Sequence, residues 1–98
     1  MTLRVVFRRA AKEEFDNAAI WYEERQTGLG GQFTSEVKNA VELASIDPER
    51  FPAKYRAIRC VQVCRFPYSV FYLHESLQIV VLAVFHARRN PSIWRSRA

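Results

Sequence analysis

Ile79-Val80-Val81-Leu82-Ala83-Val84-Phe85 is the stretch that decides the fold. It is the longest apolar run in the chain, and a membrane-spanning helix needs about 20 such residues. Seven fit a strand buried on both faces. Strand side chains alternate, so Ile79, Val81, Ala83 and Phe85 are expected on one side of a sheet and Val80, Leu82 and Val84 on the other. The chain has 98 residues, enough for one domain, expected over 1–98, with a single core layer. Helices drawn from so short a chain cover one face of the sheet. The second apolar face is then expected to be open, as a binding surface with Val80, Leu82 and Val84 in it. A curled sheet that buries both faces, or pairing of two copies, are the competing readings.

Working outward, two further runs precede this strand. Ala57 to Phe66 and Tyr68 to Glu75 are rich in branched and aromatic residues, and the last strand extends over Leu77 to Ala87. Glu75-Ser76 suits a tight hairpin. Pro67 falls in the link between strands, where it removes no ladder hydrogen bond. Near the start, Leu3-Arg4-Val5-Val6-Phe7-Arg8 reads as another strand, with Leu3, Val5 and Phe7 on one face.

Between them the period changes to that of a helix. Ala11, Phe15, Ala18, Ala19 and Tyr22 form one stripe, and Phe33, Val37, Ala40, Val41 and Ala44 form a second. Thr27-Gly28 stops the first helix and Leu29-Gly30-Gly31 reads as the turn between the two. The expected architecture is α+β, in the order β-α-α-β-β-β, with a helical hairpin on one face of an antiparallel four-stranded sheet. Counting chain reversals makes each neighbour of the first strand antiparallel to it.

Charge is segregated along the chain. Residues 13–49 carry nine acids against Arg25 and Lys38, whereas residues 50–98 carry nine bases against Glu75 alone. Twelve of the fifteen bases are arginine, whose planar fork binds carboxylates and phosphates bidentately. The arginines read either as a solvated surface or as a face for an anionic partner, an acidic peptide or a nucleic acid. Cys60 and Cys64 sit at strand spacing, too far apart to bridge, and read as buried reduced thiols. No zinc-ligand spacing accompanies them, so no metal and no cofactor is expected. The opening residues lack the apolar segment of a signal peptide, and the expected location is the cytoplasm.

The element order and two segments carry a family resemblance. The first segment is Arg65-Phe66-Pro67-Tyr68-Ser69-Val70-Phe71-Tyr72. The second is Val84-Phe85-His86-Ala87-Arg88-Arg89-Asn90-Pro91, with Trp94 beyond. Together they resemble the RelE/ParE superfamily of toxins from type II toxin–antitoxin systems, and the ParE branch more than the RelE branch. Asn90 stands where the family commonly has aspartate. The resemblance implies a toxin neutralised by a cognate antitoxin whose acidic C-terminal segment wraps it. It also implies inhibition of DNA gyrase by protein–protein contact, with operator DNA bound only through the antitoxin.

The RelE branch is the alternative, a ribosome-dependent endoribonuclease acting on mRNA. That reaction needs a proton shuttle and cations for the phosphorane. The candidates for it are His86, Arg65, Arg88, Arg89 and Tyr72, although His86 also reads as a turn-fixing residue and Tyr72 as a packed one. A plain basic nucleic-acid-binding module is the third reading. For partner contact the candidates are Arg59, Arg65 and the basic tail from about 88 to 98, with Arg88, Arg89 and Arg95. Trp94 either packs this tail onto the domain or anchors an interface.

Overall fold

The computed structural model describes residues 2–97. The elements are β1 (Arg4–Phe7), α1 (Arg9–Arg25), α2 (Leu29–Ile46), β2 (Ala53–Tyr55), β3 (Ile58–Gln62), β4 (Tyr68–Glu75), β5 (Gln78–His86) and α3 (Ser92–Arg95). They form a five-stranded sheet in the order β1-β5-β4-β3-β2. The α1–α2 hairpin lies on one face, as the two apolar stripes require. Phe33, Val37, Ala40, Val41 and Ala44 of α2 are all buried, and Phe15, Ala19 and Tyr22 of α1 pack against the same cluster.

The turn between the helices lies earlier than Leu29-Gly30-Gly31, which is already the first turn of α2. Gly28 takes a positive φ of 89°, a left-handed conformation that costs glycine little. Glu23 near the end of α1 then caps the next helix. Its carboxylate accepts from the Gly28 N–H at 2.9 Å and the Gly30 N–H at 3.0 Å, placing negative charge where unpaired amides and the helix dipole favour it. Gly30 also lies where the two helices come close together. A Cβ there would stand 2.5 Å from the Ala19 carbonyl oxygen and 2.9 Å from the Glu23 Cβ.

The strand count and one pairing differ from expectation. The irregular crossing after α2 contains β2, which pairs antiparallel with β3 through Ala53–Arg59. That short strand adds one chain reversal, so every later strand runs opposite to the direction counted from sequence. β5 consequently lies parallel to β1, in register from Arg4–Gln78 to Phe7–Val81. The other pairings are antiparallel.

The apolar alternation of β5 is also interrupted. Phe71 pairs with Ala83 but Tyr72 pairs with Val81, leaving Leu82 as the extra residue of a β-bulge. Leu82 and Ala83 therefore share a face, and Val84 swings back to the helix side beside Ile79 and Val81. The expected pairing of Val84 with Val80 and Leu82 is corrected accordingly.

The second face is not open. The tail turns back after Pro91 and α3 lays Trp94 flat on Phe71, centroids 4.0 Å apart and planes 14° from parallel. Trp94 completes a second cluster with Ile58, Val80, Leu82, Ala83 and Phe85. Val80 is 5% exposed, Leu82 0% and Val84 1%, so none of the three presents a surface to a partner. One tryptophan on a four-residue helix closes what was expected to need an outside polypeptide.

Candidate functional site

The residues proposed for nuclease chemistry do not converge. Tyr72 lies wholly inside the helix-side core, and its hydroxyl donates to the Pro48 carbonyl at 2.7 Å. Burial pushes its phenol up to about 12, so it is a structural donor. Arg65 sits in the β3–β4 turn with a positive φ of 69°. There it faces α2, with its Nε 3.4 Å from the Glu36 carboxylate and a hydrogen bond donated to Gln32. His86 ends β5, and its Nδ1 accepts the Arg88 N–H at 3.0 Å. This is the turn-fixing contact read from its position, and it holds the chain as it leaves the sheet.

Arg59 is likewise engaged within the chain, donating to the carbonyls of Glu49 and Phe51 and tying down the crossing after α2. Trp94 is a core residue, not an exposed anchor. Arg95 is exposed beside it, with its guanidinium 5.5 Å from both the Trp94 and Tyr55 ring centres, and the Arg56 guanidinium lies 5.2 Å from the Tyr55 ring centre. The covered face is thus topped by two guanidiniums on an aromatic platform, the arrangement in which cation–π attraction operates. Both cysteines are free thiols. Cys60 is half-buried, with its thiol pushed up by burial, but Cys64 is exposed because β3 ends at Gln62. Among the described residues no group of three or more His, Cys, Asp and Glu is placed to hold a metal ion. No described helix is long and apolar enough to cross a membrane.

A different cluster forms at the C-terminal end of β5. Glu14, on the face of α1 turned to the sheet, accepts a bidentate pair from Arg97 at 2.8 and 3.0 Å and a third bond from Arg89 at 2.7 Å. It also accepts the Val84 N–H at 3.2 Å. Arg97 meanwhile donates to the carbonyl of Leu82, the bulged residue. An acid of the first helix thus joins the end of the tail to the irregular strand, satisfying backbone groups that a bulge leaves unpaired. Charge-assisted bonds of this kind are roughly twice as strong as neutral ones.

Beside this junction lies a cavity of about 490 Å³ between α1 and the strand ends, walled by Trp21, Tyr22, Tyr68 and His86, with Asn17 and Arg89 at its sides. Tyr68 meets the His86 ring edge-on at 5.1 Å. Burial raises the phenols of Tyr22 and Tyr68, and Tyr22 adds to the rise at Tyr68, so both remain neutral hydrogen-bonding groups at pH 7. With its carboxylate shared among four donors, Glu14 is held as a structural anchor. The chemistry on offer is binding, by aromatic walls and cations. Of the site candidates singled out from sequence, Val84, His86 and Arg89 lie here. Trp21 gave one available signal, a large aromatic next to Tyr22 of the first helical stripe.

Comparison with known proteins accords with this architecture. A family described as "ParE toxin of type II toxin-antitoxin system, parDE" matches residues 5–91. No curated protein sequence matches the chain. A solved structure titled "Chromosomal ParDE TA system from P. aeruginosa" is similar in fold, with a TM-score of 0.74 at 14% identity. The similarity covers 89% of this chain and 98% of that one. With the family match covering residues 5–91 of the 98, the chain belongs to the ParE toxin family of type II toxin–antitoxin systems.

Proposed function

We propose that this toxin acts in the cytoplasm by binding DNA gyrase and that a cognate antitoxin neutralises it. The observation that carries the reading is the separation of the nuclease candidates. Tyr72 is sealed in the core, Arg65 faces α2, and His86 holds the turn to Arg88. A contact inhibitor needs a firm surface more than an acid–base pair, and the platform of Arg95 and Arg56 over Tyr55 and Trp94 supplies one. Arginine and aromatic residues dominate interface energetics for this reason. Arg88 is also exposed. Operator DNA is reached only through the antitoxin in this reading.

The test is a pair of assays on the purified chain. Supercoiling of relaxed plasmid by gyrase is expected to stop while cell-free translation continues. Arrested translation with normal supercoiling would overturn the proposal. Arg95→Glu is expected to weaken gyrase inhibition at least tenfold with the melting temperature unchanged, since its side chain is exposed. Undiminished inhibition by that variant would remove the α3 platform from the target surface.

A further inference from the structure

Arg56 holds a backbone conformation that suits glycine better than arginine. β2 ends at Tyr55, β3 begins at Ile58, and these two residues pair. Arg56 and Ala57 therefore form a two-residue hairpin loop, and Arg56 takes its first position with a positive φ of 51°. Hairpins of this length favour glycine or asparagine where φ is positive, because a Cβ is strained there. Strained residues cluster at functional sites, which directs attention to what this side chain does.

Its guanidinium and that of Arg95 lie within 5.2 and 5.5 Å of one ring centre, that of Tyr55. The two cations are thus at most about 11 Å apart, a span that takes in two or three phosphates of one DNA strand at about 3.4 Å of axis each. Both are exposed, and among the described residues neither has a carboxylate partner, unlike Arg65, Arg89 and Arg97. Lys54 is also exposed, and its charge acts on the thiol of Cys60, a residue of the same sheet face. From Arg50 to the end of the chain Glu75 is the single acid, whereas residues 13–49, most of the helical layer on the opposite face, carry nine acids against two bases. Such a split orients approach to a polyanion. The rings themselves are occupied. Trp94 is 5% exposed and stacked on Phe71, and Tyr55 is half-buried with the two arginines beside it. They are better placed to steady guanidiniums than to stack the unpaired bases of a single strand, and each guanidinium carries five N–H donors for phosphate oxygens.

We propose that Arg56 and Arg95, with Lys54, bind the phosphate backbone of duplex DNA without regard to sequence. In the gyrase reading, on which this placement rests, the platform meets the DNA segment that the enzyme holds. The binding itself is a property of the toxin and DNA alone, so its readout is independent of gyrase. A contact of this kind positions a protein on a duplex and carries no sequence information, so operator recognition stays with the antitoxin.

The probe is a fluorescein-labelled duplex of about 20 base pairs and arbitrary sequence, titrated by anisotropy with the full chain between about 50 and 200 mM salt. Saturable binding is expected, with log K falling linearly against log salt. Each phosphate contact contributes about −0.9 to that slope, so Arg56→Gly and Arg95→Gln are each expected to reduce its magnitude by about one and to weaken binding about fivefold at the lower salt. Arg56→Gly relieves the backbone, and its melting temperature is expected to hold or rise, which separates lost binding from unfolding. Arg56→Lys keeps the charge and is expected to keep the slope. Lys38→Gln, the same charge change at an exposed position of α2, is expected to leave slope and affinity as they are. No binding at the lower salt, a slope unmoved by both platform variants, an equal loss in Lys38→Gln, or tighter binding of the single strand than of the duplex would each overturn the proposal. Supercoiling is assayed separately. DNA binding without gyrase inhibition removes the gyrase reading alone, and inhibition without DNA binding removes this inference alone.

Discussion

Trp94→Ala tests the covering of the second sheet face. The side chain is 5% exposed and stacks on Phe71 at 4.0 Å, and Leu82 and Phe85 belong to the same cluster. Removing a buried indole from such a site costs about 3–5 kcal/mol, from lost transfer energy and the cavity left behind. Domains of this size have total stabilities of about 5–15 kcal/mol, so the loss is a large fraction of the whole. At about 4–8 °C per kcal/mol for a domain of 60–100 residues, the midpoint falls by roughly 12–40 °C. Urea denaturation followed by far-ultraviolet circular dichroism measures it, with Ile93→Ala, on the same short helix but 39% exposed, as the control at under about 1 kcal/mol. In a Trp21→Phe background the Trp94 emission is expected to be blue-shifted. A Trp94→Ala loss below about 1 kcal/mol, or water-like emission from Trp94, refutes the closed face and restores an open sheet surface.

Other outcomes follow from single contacts. Glu14→Gln is expected to lower stability by about 1.5–3 kcal/mol, the range for hydrogen bonds to charged groups, and to speed exchange of the Val84 amide; unchanged exchange would show that Glu14 does not hold the strand edge. Gly30→Ala brings a Cβ within 2.5 Å of the Ala19 carbonyl oxygen and is expected to cost about 1–3 kcal/mol by overpacking, read as a lower urea midpoint; the same midpoint as the parent means the helices can part without penalty. Tyr72 keeps its proton in the folded state up to about pH 12 but loses it near pH 10 when unfolded. The folded state therefore binds more protons across that window, and the stability contributed by neutral Tyr72 is complete below pH 10 and lost as pH rises toward 12. Tyr72→Phe is expected to flatten that decline in a pH series of melting temperatures, and an equally steep decline in the variant would assign it to other groups.

The helical hairpin was legible because its signal is local. Phe33, Val37, Ala40, Val41 and Ala44 recur at helical spacing, and that period alone fixes which side faces the sheet. The junction on Glu14 was not legible. Its partners Arg89 and Arg97 lie 75 and 83 residues away, and no local pattern marks an acid on a charged helix as the one that turns inward. Trp21 and Tyr68 were visible as aromatics, but their convergence on one cavity depends on how α1 crosses the strand ends.

The class of fold, the order of the long elements and the family could be read along the chain, since periodicity, turn residues and two short motifs are carried by near neighbours. The direction of β1 against β5, the face on which Val84 lies, and the closing of the sheet's second side depended on packing between distant segments. Each turned on a small long-range event: three residues of β2 reversed the strand count, one extra residue at Leu82 broke the alternation, and Trp94 reached back to Phe71. Such events are set by packing between distant segments, where loop closure and burial compete, and a reading of neighbouring residues has no access to that balance.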